Sequence, residues 1–448
     1  MIFVNKLRQD ELFSRVVQNS AHLFSSNSVS LGLGVVQSVL AARMLGPAGY
    51  GLIGIVMSYA STLNGLLSFR MSELVVRYGG KYVEEGDKMR AAALIKGAGM
   101  VELAVSVLAF VLVSVTAGVG SRFIAKTPGT EWMFILYSLG LLANFNAETS
   151  TGVLQITNKI KWRGTINLIQ STMSALVIVG AFVLNSRSSL APAAQLAAVL
   201  GAYLLGKTIL GIGLFSRAWL EVGKVLGSGW HRAPLSSLPS LRELFGFAFS
   251  SNLSATAILV FRESELLWIG LFLNSEAAGL YKIAYTIVGF LSVPADPLIL
   301  SVYPETNRLI VQRAWSRLRD FLRKITTLSL AYNLLLALGL IFLGHWVLAV
   351  FGSQYTVAYP AMIALLIGLS FNYTLFWNRP LLLSFGLQNF ALLAIVVAGV
   401  LKIGLAFPLV PRYGYVMEGA LLSLYYVLSV GIIVWRGLVE LRRQEARG

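Results

Sequence analysis

Residues 255–297 read ATAILVFRESELLWIGLFLNSEAAGLYKIAYTIVGFLSVPADP. Two apolar runs flank a polar corner, LNSEAAGLY, which is the pattern of two membrane-crossing helices joined by a turn. Arg262, Glu263 and Glu265 lie in the first run and Lys282 in the second. Ionisable groups at such depth are expensive and point to pairing or function. The remainder of the chain supports the membrane reading. It has 448 residues, 56% hydrophobic and only 12% charged, with a mean hydropathy of +0.73. A soluble domain is about a quarter charged. The apolar runs are continuous, not alternating, so they read as helices and not as a barrel.

An all-α polytopic membrane protein is therefore expected, with twelve spans in two lobes of six. The first six are placed at 21–43, 50–69, 94–116, 132–152, 165–185 and 194–216. The second six are placed at 245–272, 277–301, 326–350, 358–385, 390–410 and 416–436. The lobes run over 1–216 and 244–448, with a Gly-, Ser- and Pro-rich linker at 217–243. With the N-terminus inside, 27 Lys and Arg residues fall in cytoplasmic loops and five outside. The positive-inside rule then puts both termini in the cytoplasm of a cell (inner) membrane. That asymmetry accounts for most of the net charge of +16 without nucleic acid. The run LIVQRAWSRLRDFLRKI (309–325) reads as a helix lying in the cytoplasmic interface. No removable signal peptide is expected in the polar opening residues.

The absence of cysteine excludes disulfides and thiolate chemistry, and three scattered histidines give no metal-ligand spacing. No metal or cofactor is expected. The two halves share a corner. LGPAGYGL at 45–52 and LNSEAAGL at 273–280 are offset by 228 residues, and each precedes an apolar span. Gly46, Pro47, Gly49, Gly51 and Gly279 suit a turn and a close helix approach. An even number of spans per half makes the repeats parallel.

The stretches LGPAGYGLIGIVMSY, FRMSELVVRYGGKY (69–82) and AAGLYKIAYTIVGFLSVPADPLILSVYPETNRL (277–309), which closes on Pro304, resemble the polysaccharide-export flippases. These form a branch of the multidrug/oligosaccharidyl-lipid/polysaccharide superfamily. The resemblance implies two six-helix bundles in a V and alternating access. The implied substrate is a polyprenyl-pyrophosphate-linked oligosaccharide, moved from the cytoplasmic to the outer leaflet for surface polysaccharide synthesis. It implies membrane lipids, and a polymerase or glycosyltransferases, as partners. The related peptidoglycan-precursor flippases usually carry fourteen spans, more than this chain holds. A drug or metabolite cation antiporter of the same superfamily is the alternative. A membrane glycosyltransferase would need large outer loops, which this chain lacks.

A flippase needs an anchor for phosphate. Arg262 and Lys402 come out within roughly 5 Å of the midplane, and Lys207 and Lys282 also lie inside spans, so these four are the expected substrate-binding cations of a central cavity. The competing reading is structural. Glu265 is three residues from Arg262 and could neutralise it on a helix, and Lys207 could snorkel. Lys402 has no acidic neighbour in sequence. Glu148, Glu263, Glu265 and Asp296 are candidates for ion coupling. Asp296 stands between Pro294 and Pro297, where span eight is expected to kink. Asn144, Asn146, Glu148, Thr149 and Ser150 give span four a polar side.

Overall fold

The computed structural model describes residues 11–238, 244, 256–293 and 295–446, with side chains not described at 11–27 and 294–301. No strand occurs among the described residues. Helix α1 (Glu11–Leu67) contains the first two spans and turns at Gly46, whose φ of 65° lies in the left-handed region that only glycine enters cheaply. Pro47 then starts the second segment, where its missing N–H is no loss. The first half continues with α2 (Lys88–Val119), α3 (Glu131–Ala143), α4 (Ala147–Ile156), α5 (Lys161–Ser188) and α6 (Pro192–Leu226). The second half has α7 (Glu265–Phe272), α8 (Ser275–Gly289), α9 (Ala295–Val311), α10 (Trp315–Phe351) and α11 (Tyr359–Thr374), then α12 (Asn378–Ser384), α13 (Gln388–Tyr413) and α14 (Tyr415–Glu445).

Eight helical segments of the described chain are long and apolar enough to cross a membrane. One of them, Ser28–Glu84, holds spans one and two. Spans four and eight, and the described part of span seven, are divided among shorter helices. The chain is an all-helical, multi-pass membrane protein.

The chain divides into two compact units. One takes residues up to Leu45 with Tyr59–Ser121 and Pro128–Thr256; the other takes Gly46–Ser58, Arg122–Thr127 and everything from Ala257. In the first unit α6 continues as helix through Arg217 to Leu226. Residues 230–238 then fold back: Lys96 Nζ donates to the Ala233 carbonyl at 3.1 Å, and Trp230 packs edge-on to Trp219 at 4.8 Å.

Span four is broken, which corrects the expectation of one helix with a polar side. The chain leaves helical geometry between α3 and α4, and the polar residues serve the break. Asn144 Nδ2 donates to the carbonyls of Gly140 and Lys207, both at 2.9 Å. The carboxylate of Glu102, on α2, accepts from the backbone N–H groups of Glu148 (2.8 Å) and Thr149 (2.9 Å). It thereby caps two of the orphan donors at the start of α4. Span ten breaks at the corresponding place, between α11 and α12, and Asn378 Nδ2 donates to the Leu375 carbonyl at 2.7 Å. The expected interfacial helix over 309–325 is also divided. Arg313 takes a φ of 52° between α9 and α10, and Leu309, Leu318 and Leu322 are buried with Trp315 and Phe321 packed against them. The apolar face therefore closes onto protein.

In the second unit the two repeat corners meet. A Cβ on Gly51 would stand 2.5 Å from the Gly279 nitrogen and 2.9 Å from the Ser275 carbonyl carbon. A Cβ on Gly279 would stand 2.8 Å from the Pro47 carbonyl carbon. Three residues along, Gly54 lies under the side chain of Lys282. Gly51 and Gly279 are 228 residues apart, and so are Gly54 and Lys282. Residues equivalent in the repeat therefore touch each other. Gly51→Ala is expected to destabilise the protein by about 1–3 kcal/mol, because backbone cannot move aside. Gly32→Ala, where a Cβ meets nothing within 4 Å, should be neutral or mildly stabilising. Unfolding of both variants in mixed micelles checks this, and equal effects would refute the seam.

Candidate functional site

The described start of span seven is not a plain α-helix. Leu259–Glu263 forms a π-turn, Ser264 closes it with its hydroxyl on the Val260 carbonyl at 2.6 Å, and α7 begins at Glu265. A π-turn inserts an extra residue and so changes which way the following side chains face. Arg262 and Glu265 are consequently not paired, contrary to the expectation from their spacing.

Glu265 turns instead to α13 and α14. Its carboxylate receives the ammonium of Lys402 and the phenol of Tyr281. The same ammonium lies 3.1 Å from Glu418 Oε1, and Lys402 also donates to the Phe261 carbonyl at 3.2 Å. The side chains of Lys402, Glu265 and Glu418 are 2%, 5% and 0% exposed. Two carboxylates thus share one ammonium out of water, with a formal surplus of one negative charge. Such a joint is costly to break, since each partner left alone is an uncompensated buried charge. Sequence reasoning misses Glu418. The signal available is its place one residue before Gly419 in an apolar span.

Arg262 has a different environment. It is half-buried, its Nε is buried without a hydrogen-bond partner, and no carboxylate lies within ion-pair distance among the described residues. The groups acting on it electrostatically are the phenols of Tyr426, Tyr285 and Tyr373, and at longer range Glu263, which is exposed. Tyr285 stacks on Tyr281 at 6.2 Å and Tyr426 meets Tyr425 edge-on at 5.4 Å. The stacked Tyr281–Tyr285 pair starts at the Lys402 joint, where Tyr281 donates to Glu265.

The other two cations rest on aromatic faces. Lys282 Nζ lies 4.2 Å from the Tyr50 ring centroid, and Lys207 Nζ, in the first unit, lies 4.6 Å from that of Tyr137. Lys207 also runs over Gly140, 3.0 Å from a Cβ placed there. Neither has a carboxylate partner among the described residues. Glu148 is exposed and accepts from Ser72 Oγ at 2.5 Å. The side chain of Asp296 falls outside the described residues. Pro304 lies within α9, and Gly49 lies in the corner after Pro47. No cluster of three metal-ligating side chains occurs among the described residues.

Residues 16–309, well over half of the chain, match the family described as polysaccharide biosynthesis protein. The chain belongs to that family. It is similar to the inner membrane protein YghQ of Escherichia coli K12, at 26% identity over 357 residues that cover 78% of this chain and 96% of the relative. Its fold is similar to that of an inward-facing multidrug MATE transporter of the MOP superfamily, with a TM-score of 0.74 at 12% identity, over 93% of this chain and 96% of that one. The lipid II flippase MurJ matches at a TM-score of 0.63 and 16% identity over 94% and 91%. A Pyrococcus furiosus MOP transporter with a binding pocket of reversed polarity matches at 0.64 and 13% over 96% of both. By family the chain is thus a polysaccharide biosynthesis protein, and by fold it is similar to MOP-superfamily transporters.

Within it, Lys402→Met and Glu265→Gln should each cost about 3–5 kcal/mol of stability, as expected for breaking a buried pair. The double variant should lose clearly less than the sum. A double-mutant cycle on unfolding in micelles measures the difference, and simple additivity would show that the two side chains do not interact.

Proposed function

We propose that the protein is a flippase for a polyprenyl-pyrophosphate-linked oligosaccharide, carrying it from the cytoplasmic to the outer leaflet by alternating access. The unpaired Arg262 guanidinium carries this reading. A cation of fixed charge, half-exposed and unmatched by any carboxylate among the described residues, suits the bidentate capture of a phosphate oxygen pair. The tyrosine hydroxyls around it can donate to the same anion or to a sugar. In the same unit Lys282 rests on an aromatic face, which leaves its ammonium able to take a further partner, and Lys207 does so within the first unit. The family description, polysaccharide biosynthesis, supports a glycan substrate, and the likeness to MurJ, a lipid II flippase, supports a lipid-linked one.

The reading places the protein in the cytoplasmic membrane with both termini inside, working beside a polymerase or glycosyltransferases. It assigns ion coupling to the exposed Glu263 in the second unit, since Glu265 and Glu418 are closed around Lys402. Glu148, exposed on the broken span four, is the corresponding candidate in the first unit. A cation antiporter is the weaker reading, because Arg262, Lys282 and Lys207 have no carboxylate partner among the described residues.

Arg262→Gln should abolish surface polysaccharide while the protein still accumulates in the membrane, and Arg262→Lys should retain part of the activity. Surface-glycan staining against membrane abundance gives the measurement. Full export by Arg262→Gln would remove the phosphate-anchor role.

A further inference from the structure

We propose that Lys402 is a tethered cation: its ammonium fills a monovalent-cation position between Glu265 and Glu418, so that this joint needs no dissolved ion to close. Three observations carry it. The ammonium is engaged by both carboxylates, one on α7 and one on α14, and reaches them from α13. All three side chains are at most 5% exposed, so the charges are closed off from solvent. Phe261, next to Arg262, folds over Gly399, one turn before Lys402 on the same helix, and its carbonyl oxygen takes a further bond from Lys402. Carboxylates and a carbonyl around one small positive centre are hard oxygen donors of the kind that suit a hard cation. Here a lysine side chain supplies the ion.

The first half of the chain shows the same joint without charge. Gln37, which is 228 residues before Glu265, is buried and donates its Nε2 to the Ser171 carbonyl of α5 at 2.8 Å. The first and fifth spans of that half are thus linked by a neutral amide, where the seventh and eleventh are linked by Glu265 and Lys402. A polar link at this place closes without any ion, so the fold itself does not demand a charge there. What the charged version adds is a strong, covalently retained bond among α7, α13 and α14, which binds these helices into one body that moves together.

The inference concerns the joint and stands apart from the identity of the substrate. It is tested on the purified full-length protein by thermal unfolding in detergent at constant ionic strength, with choline, Na+, K+ or methylammonium as the cation. Wild type should melt at one temperature in all four. Lys402→Ala should melt lower in choline and recover by several degrees, in a concentration-dependent manner, with methylammonium or an alkali cation, since a ligand that binds only the folded state raises its stability. Adding Glu418→Gln to Lys402→Ala should abolish that recovery. If Lys402→Ala does not accumulate, Lys402→Gln/Glu418→Gln, which restores the net charge of the joint, should accumulate where Lys402→Gln alone does not. A cation-dependent melting temperature in wild type, a variant indifferent to every cation, or no gain in the double variant would each overturn the proposal.

Discussion

The contact of Gly51 with Gly279 is the constraint on which the second unit depends. Backbone meets backbone there, with Pro47 and Ser275 completing the crossing, and no side chain larger than hydrogen fits. In a membrane, helices gain little from burying apolar surface against each other, because lipid is equally apolar. Close approach through small residues then supplies the attraction. That equivalent residues of the two repeats make this contact explains why the corner recurs at a fixed offset. The same geometry governs the next turn of helix. Three residues on, the seam is still narrow, and Lys282 fits only because its counterpart is Gly54.

Symmetry of backbone and asymmetry of charge go together in this chain. Each half breaks its fourth span, and each break is held by an asparagine amide on a nearby carbonyl. Each half ties its first span to its fifth by a polar side chain. Yet Gly34, Val35, Gln37 and Gly54 in the first half stand where Arg262, Glu263, Glu265 and Lys282 stand in the second. The scaffold tolerates charge at these positions because it already seats a polar or small residue there. In the first half the comparable investment lies elsewhere, in Glu102, whose carboxylate holds two N–H groups at the start of α4.

Composition and periodicity made the helical membrane fold and the repeat corner legible, since both depend on local pattern. Partners were less accessible. Glu265 and Lys402 are 137 residues apart, and Glu418 lies on yet another helix, so no spacing rule brings them together. The i, i+3 rule pointed Glu265 at Arg262 and failed for a definite reason: the π-turn at Leu259–Glu263 alters the helical register between them. A π-turn leaves no composition signal in an apolar run. Likewise the polar residues of span four could be seen, but a polar stripe and a capped break use the same residue types, and only Glu102, 46 residues before Glu148, distinguishes them.

How each buried cation is satisfied decides what it can still do. Lys402 is matched by more negative charge than it carries, and capturing an external anion there would require stripping a carboxylate from it in a dry site. Lys207 and Lys282 lean on tyrosine faces, which stabilise a cation through the ring quadrupole without cancelling its charge. Arg262 is bounded by phenols that can turn their hydroxyls toward either a cation or an anion. The distinction is one of net charge and not of depth. Of these four cations, Lys402 has the most complete ion pairing and joins three helices, whereas the three with no carboxylate partner among the described residues each keep an uncancelled charge.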